Sequence, residues 1–148
     1  MSSSEMEAIV SGERGVLDTN VLVHFDFHEG EDRLPEVIEV PAIVVAELAY
    51  GVPMAADPVE ASRRANRLAQ VTAWVDPLPF GQAEAMKYGE LAALVKSTGR
   101  SPKPRRLDLM IAATAAIAGL PLYTENGDDF FGLKNVVEVV ELPSPEDD

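Results

Sequence analysis

LDLMIAATAAIAGLPLYT, residues 107–124, reads as a helix running straight into a strand. Leu107–Ala118 is apolar almost all the way round, a pattern that demands burial on several sides rather than along one stripe. Gly119 suits the left-handed residue that closes such a helix, and Leu120–Thr124 then has the character of a short strand. A buried helix feeding a strand belongs in an α/β domain. Further β-rich runs fall at Gly15–Asp18, Val37–Val40, Ala73–Val75 and Val136–Leu142, with longer helical stretches between them. The alternation predicts a mainly parallel central sheet.

Helix boundaries can be read from local chemistry. Pro41 suits the first turn of a helix running to about Tyr50, with Gly51 at its end. Asp57-Pro58 is an N-cap followed by a first-turn proline, opening a helix through Glu60–Thr72. A helix over Gln82–Ser97 should end before Gly99. The chain has 148 residues and is 47% hydrophobic, enough for one domain with a real core, placed at 13–142. Residues 1–12 are small and polar, and 143–148 form an acidic, proline-containing tail; both are expected to fray.

Composition narrows the function classes. No apolar run reaches the roughly 18 residues of a transmembrane helix, so no membrane role is expected. The stretch MSSSEMEAIVSGER (1–14) lacks the basic and apolar regions of a secretory signal, which predicts a soluble, cytoplasmic protein. With no cysteine, disulfides and thiolate metal sites are excluded. A formal charge of −13 argues against passive coating of nucleic acid. The basic residues are nevertheless uneven: Lys96, Arg100, Lys103, Arg105 and Arg106 crowd just ahead of Asp108, either as a solvated loop or as a local phosphate contact. Arg63, Arg64 and Arg67 form a second cluster on one helical face.

Three carboxylates each stand as the only charge in a long apolar stretch: Asp18 in 16–23, Glu47 in 42–52 and Asp108 in 107–122. An isolated carboxylate in apolar surroundings costs several kcal/mol or more unless it is paired, protonated or metal-bound. Asp128 and Asp129 follow as a fourth acidic cluster. Singly, these residues have ordinary structural uses, as helix caps, first-turn acids or solvent-facing groups. Asp18 falls at a strand's end and Asp128–Asp129 just after another, where ligands gather in parallel sheets, while Glu47 lies within a helix and Asp108 in the first turn of another, so residues distant in sequence can converge on one rim. Converging carboxylates repel one another unless a cation neutralises them, and Mg2+ or Mn2+ prefers such an all-oxygen donor set. That combination points to phosphoryl chemistry. His24 and His28 share i,i+4 spacing but have no identifiable third ligand, and read as surface or partly buried side chains. Trp74, Phe25, Phe27, Phe130 and Phe131 read as core or interface residues.

VLDTNVLV (16–23), VVAELAYG (44–51), RLDLMIAATA (106–115) and LYTENGDDF (122–130) resemble, in order and spacing, the four motifs of PIN-domain ribonucleases, and more narrowly those of VapC-type toxins. The resemblance covers roughly residues 15–142. It implies a three-layer α/β/α fold and a metal-dependent endoribonuclease leaving 5′-phosphate and 3′-hydroxyl ends. It assigns Asp18, Glu47, Asp108 and Asp129 to the metal and the catalysis. Thr124, Asn126 and Asp129 take the fixed positions of the last motif, with Asp128 as an alternative fourth acid. Thr19, Asn20, Thr124 and Asn126 would support the ligands or substitute for one, and Lys103, Arg105 and Arg106 would contact RNA phosphates. The resemblance further implies homodimerisation and a cognate antitoxin partner, with an antitoxin Arg in the acidic cleft and a helix in an apolar groove.

Two other readings remain open at this level. A haloacid-dehalogenase-like phosphatase also puts an Asp after its first strand, but its acid/base Asp would fall at Asn20. A non-catalytic acidic metal-binding regulatory domain would keep the acids without turnover.

Overall fold

A computed structural model describes residues 13–145 of the chain; the expectations for 1–12 and 146–148 lie outside the described residues. Four strands, β1 (Arg14–Leu17), β2 (Val37–Glu39), β3 (Leu122–Thr124) and β4 (Val139–Glu141), form one sheet in the order β2-β1-β3-β4. Every pairing is parallel, with Gly15 opposite Ile38, Leu17 opposite Tyr123 and Tyr123 opposite Val140.

Parallel strands need long crossovers, and helices supply most of them. Two short helices, α1 (Thr19–Val23) and α2 (Phe25–His28), follow β1, and α3 (Ala42–Gly51) follows β2. The long α4 (Pro58–Trp74), α5 (Gln82–Ser97) and α6 (Arg106–Ala118) lead back to β3. α5 packs on α6, α4 on α3, and α1 touches both α3 and β3. No described helix is long and apolar enough to cross a membrane.

The local signals act as expected at most boundaries. Asp57 caps α4 by accepting from the Glu60 N–H at 2.8 Å, and Gly99 (φ +87°) follows the end of α5. Gly119, at φ +69°, closes α6. The helix it ends is buried as its sequence requires, with Leu109, Ile111, Ala112, Ala113 and Ala115 fully enclosed. Small alanines let α6 lie close against its neighbours.

One expected strand is absent. Ala73 and Trp74 end α4, and Val75 is its C-cap. Trp74 and the β-branched Val75 suit a strand locally, but Leu68, Val71 and Val75 repeat at helical spacing and pack on the core as one face. Tertiary burial of that stripe overrides the local propensity.

The strand order places the ligand-binding edge. Connections from β1 and β3 leave toward opposite sides of the sheet, so a crevice opens between their C-terminal ends. Asp18 follows β1, and Glu125–Phe130 follows β3, both at that crevice. The Tyr123 ring of β3 lies over Gly15 of β1, where a Cβ would run into it.

Candidate metal centre

Asp18 stands at the N-cap of α1, immediately beyond β1, and is 4% exposed. Its backbone N–H donates to the Tyr123 carbonyl at 2.9 Å, tying it to β3. One carboxylate oxygen accepts from the Thr19 N–H at 2.8 Å, and the other accepts from the Thr124 hydroxyl at 2.8 Å. Burial pushes its pKa up to about 6 against the pull of these two hydrogen bonds, and the charges of Glu47 and Asp129 add to the rise.

Glu47 projects from the middle of α3 toward the same point. The Thr19 hydroxyl donates to its Oε1 at 2.8 Å, so one residue holds two acids: Asp18 through its backbone and Glu47 through its side chain. Burial raises the Glu47 pKa, and that hydrogen bond opposes the rise.

Asp108 lies in the first turn of α6. Burial, then the charges of Asp18, Asp129 and Glu47, push its pKa up to about 7, opposed by Arg105. Asp129 sits in the 3-10 turn Gly127–Phe130, its pKa raised mainly by burial. All four acids thus act on one another electrostatically at one edge of the sheet.

The adjacent Asp128 is turned elsewhere. Its carboxylate is 69% exposed and pairs with the Arg100 guanidinium at 3.2 Å. Arg100 also donates to the Asp128 carbonyl at 3.0 Å and lies 4.2 Å over the Phe131 ring. Asn126 is exposed and takes part through its backbone N–H, which donates to the Thr124 hydroxyl oxygen at 3.1 Å. The Asn20 side-chain oxygen accepts from the Glu125 N–H at 3.2 Å.

The basic cluster divides. Lys103 and Arg106 are exposed, and Arg106 donates to the Lys103 carbonyl at 3.2 Å. Arg105, in contrast, lowers the proton affinity of both Asp108 and Asp129, and its buried Nε has no hydrogen-bond partner. Arg63 and Arg64 are engaged with Glu60. Arg63 and Arg67 also border a groove of about 810 Å³, whose apolar lining includes Leu22, Phe25, Val71 and Trp74. Trp74, read from sequence as core or interface, is 86% exposed at that groove, whereas Phe130 is fully buried.

The histidines differ from expectation. His28 is buried, and its Nε2 lies 2.6 Å from a Glu125 carboxylate oxygen; His24 Nδ1 lies 2.9 Å from the same carboxylate. Glu125 was not among the residues singled out by sequence. Nothing local marks it, because its partners are 97 and 101 positions away.

Among the described residues, no group of three or more His, Cys, Asp or Glu side chains is gathered closely enough to hold a metal ion as it stands. Asp18 and Glu47 are held by Thr19 and Thr124 rather than drawn onto one point with the other two acids. Their chemistry nevertheless fits a hard divalent cation. The donors are all oxygen, and a cation relieves the mutual repulsion that raises their proton affinities.

The chain as a whole is similar to known proteins. A family model described as the PIN domain matches residues 15–135. Ribonuclease VapC5 of Mycobacterium tuberculosis is 33% identical over 129 residues, covering 84% of this chain and 91% of that protein. Ribonuclease VapC8 of the same species is 31% identical over 103 residues, covering 70% of this chain and 91% of that protein. The crystal structure of VapBC-5 from M. tuberculosis, a member of the VapBC family of toxin–antitoxin systems, matches with a TM-score of 0.74 at 31% identity, covering 88% of this chain and 98% of that one.

Proposed function

The chain belongs to the PIN-domain family, and from that premise we propose that it is an endoribonuclease toxin whose acidic crevice hydrolyses RNA phosphodiesters. The observation that carries this reading is the set of four carboxylates, from the N-cap of α1, from α3, from α6 and from the loop after β3, in which the charges of Glu47 and Asp129 raise the proton affinity of both Asp18 and Asp108 at the crevice between β1 and β3.

Asp18, Glu47, Asp108 and Asp129 would hold Mg2+ or Mn2+. When bound, such a cation supplies positive charge that polarises the phosphate and favours loss of a proton from the attacking water. Thr19 keeps the Asp18 and Glu47 carboxylates in register, and Thr124 holds the far oxygen of Asp18, so these two ligands are oriented before a cation arrives. Arg105 is the basic side chain best placed to meet a phosphate, since its charge reaches Asp108 and Asp129 while its Nε is unpaired. Lys103 and Arg106 would extend the contact to flanking phosphates. Water attacks phosphorus and the 3′ oxygen departs, taking a proton, which leaves 5′-phosphate and 3′-hydroxyl ends.

An antitoxin is the expected protein partner, in line with the VapBC assembly of the matching structure. The groove between α1, α2 and α4, apolar along its floor and carrying Arg63 and Arg67, suits a helix with one apolar face and acidic flanks. A second copy of the chain is the other expected partner.

The test is cleavage of total RNA by the purified protein with Mn2+ or Mg2+, with chelator, and by Asp18→Asn protein of unchanged circular dichroism. Cleavage should disappear in the last two. Undiminished cleavage by the variant would sink the reading.

A further inference from the structure

We propose that Glu125, gripped by His24 and His28, is a positioning residue that sets the metal affinity of the crevice by anchoring the loop that carries Asp129. The inference rests on the metal-dependent reading above.

The loop that follows β3 and carries the fourth acid is held at several points, among them the buried Phe130 and the bonds from Arg100 to Asp128. Asp129 N–H donates to the Asn126 carbonyl at 3.2 Å, and Asn126 N–H donates to the Thr124 hydroxyl oxygen at 3.1 Å. On its outer side the loop is tied to β4, where Gly127 N–H donates to Glu141 Oε1 at 3.0 Å. On its inner side the attachment runs through Glu125. The Glu125 N–H reaches Asn20 in α1, and its carboxylate reaches His24 and His28 at the two ends of α2.

This attachment is built rather than incidental. The Glu125 side chain is 5% exposed, and among the described residues its carboxylate contacts are with these two histidines. Burying a carboxylate is unfavourable unless donors hold it in place. His24 Nδ1 stands 2.9 Å from both carboxylate oxygens, and His28 Nε2 stands 2.6 Å from one. The buried His28 Nδ1 has no partner, so the Nε2–H tautomer is the one that uses the ring's single available contact.

The consequence is a rigid link between the two halves of the metal centre. Asp18, Thr19 and Asn20 open the short helices that end at His28, and Thr124 to Asp129 form the facing loop. Glu125 closes the connection by bonding one to the other. Groups that orient ligands in this way typically change metal affinity tenfold to a hundredfold when removed.

Binding of Mn2+ to the full chain, followed by loss of the free-ion paramagnetic resonance signal, tests this without turnover. Glu125→Gln keeps the shape but removes the charge and one acceptor, and should weaken Mn2+ binding by on the order of tenfold to a hundredfold. His24→Leu should weaken it as well, whereas His24→Asn, which keeps a donor near the Nδ1 position, should recover most of the loss. In parallel, amide exchange at Gly127 and Asp129 should accelerate in Glu125→Gln protein. Wild-type affinity in Glu125→Gln, with binding abolished in Asp18→Asn, overturns the proposal and leaves the nuclease reading standing. Equal binding by wild-type and Asp18→Asn proteins overturns that reading itself.

Discussion

The Thr124 hydroxyl donates to Asp18 Oδ2 over 2.8 Å, fully buried, joining the ends of β1 and β3 through their side chains. The same oxygen accepts from the Asn126 N–H at 3.1 Å, so Thr124 relays order from the first acid into the loop of the fourth. Thr124→Val keeps the volume and strands both partners. Hydrogen bonds to charged groups contribute about 1.5–3 kcal/mol, and a loss of that size is expected in chemical denaturation. Because this bond lowers the Asp18 pKa, the variant's Asp18 should titrate above about 6 in carboxyl-resolved NMR of the metal-free protein.

Metal-free protein should lose stability as pH rises through neutrality. Asp18 is raised from 3.8 to about 6 and Asp108 from 3.8 to about 7, so the folded state binds these protons more tightly than the unfolded chain. Their favourable contribution is complete below pH 3.8 and is lost as pH climbs through 6 and 7. For the buried Asp18 the difference between 3.8 and about 6 corresponds to about 3 kcal/mol. Thermal melts from pH 5 to pH 8 should therefore show a falling Tm in chelator and a flatter profile with Mn2+, which stabilises the ionised site by mass action. A Tm that rises with pH in chelator would contradict the burial of these acids.

Sequence made much of this centre legible, for a physical reason. Asp18, Glu47 and Asp108 sit alone in apolar runs, and that mismatch is a local property readable without a fold. The helix Gln82–Ser97 and the glycine turns at 99 and 119 were likewise local. What escaped depends on distant partners. Asp128 is drawn outward by Arg100, 28 positions earlier, so the choice between two adjacent acids was not written in the motif itself. Glu125 acquires its partners only when folding places it against His24 and His28. Ala73–Val75 read as a strand because its helical face is recognisable only together with Leu68 and the core beneath.

Arg105 should separate substrate binding from metal binding. Its charge opposes the proton uptake of Asp108 and Asp129, and it repels a cation brought to the same place. Arg105→Gln should therefore raise KM for RNA by about tenfold, of the order expected for a lost charge-assisted contact, while Mn2+ binding is not weakened. The salt dependence of single-stranded RNA binding should become shallower by about 0.7 in log–log slope, the value for one phosphate contact. Loss of Mn2+ affinity in this variant would instead make Arg105 a support for the carboxylates.

The two neighbouring aspartates should behave oppositely. Asp129 faces the other acids, since its charge raises the proton affinity of both Asp18 and Asp108. Asp128 is exposed and paired with Arg100, which is itself stacked on Phe131. Asp129→Asn removes a charge from the centre and should reduce Mn2+ affinity and RNA cleavage by at least tenfold, the lower end for loss of an orienting or ligating group. Asp128→Asn breaks an exposed ion pair, worth at most about 1 kcal/mol, and should leave cleavage within a factor of two or three. Measuring both variants at saturating and limiting Mn2+ distinguishes them: only the Asp129 defect should be partly relieved by more metal. If Asp128→Asn carries the larger, metal-sensitive defect, the loop turns over when the cation binds, and Arg100 holds the resting arrangement rather than the working one.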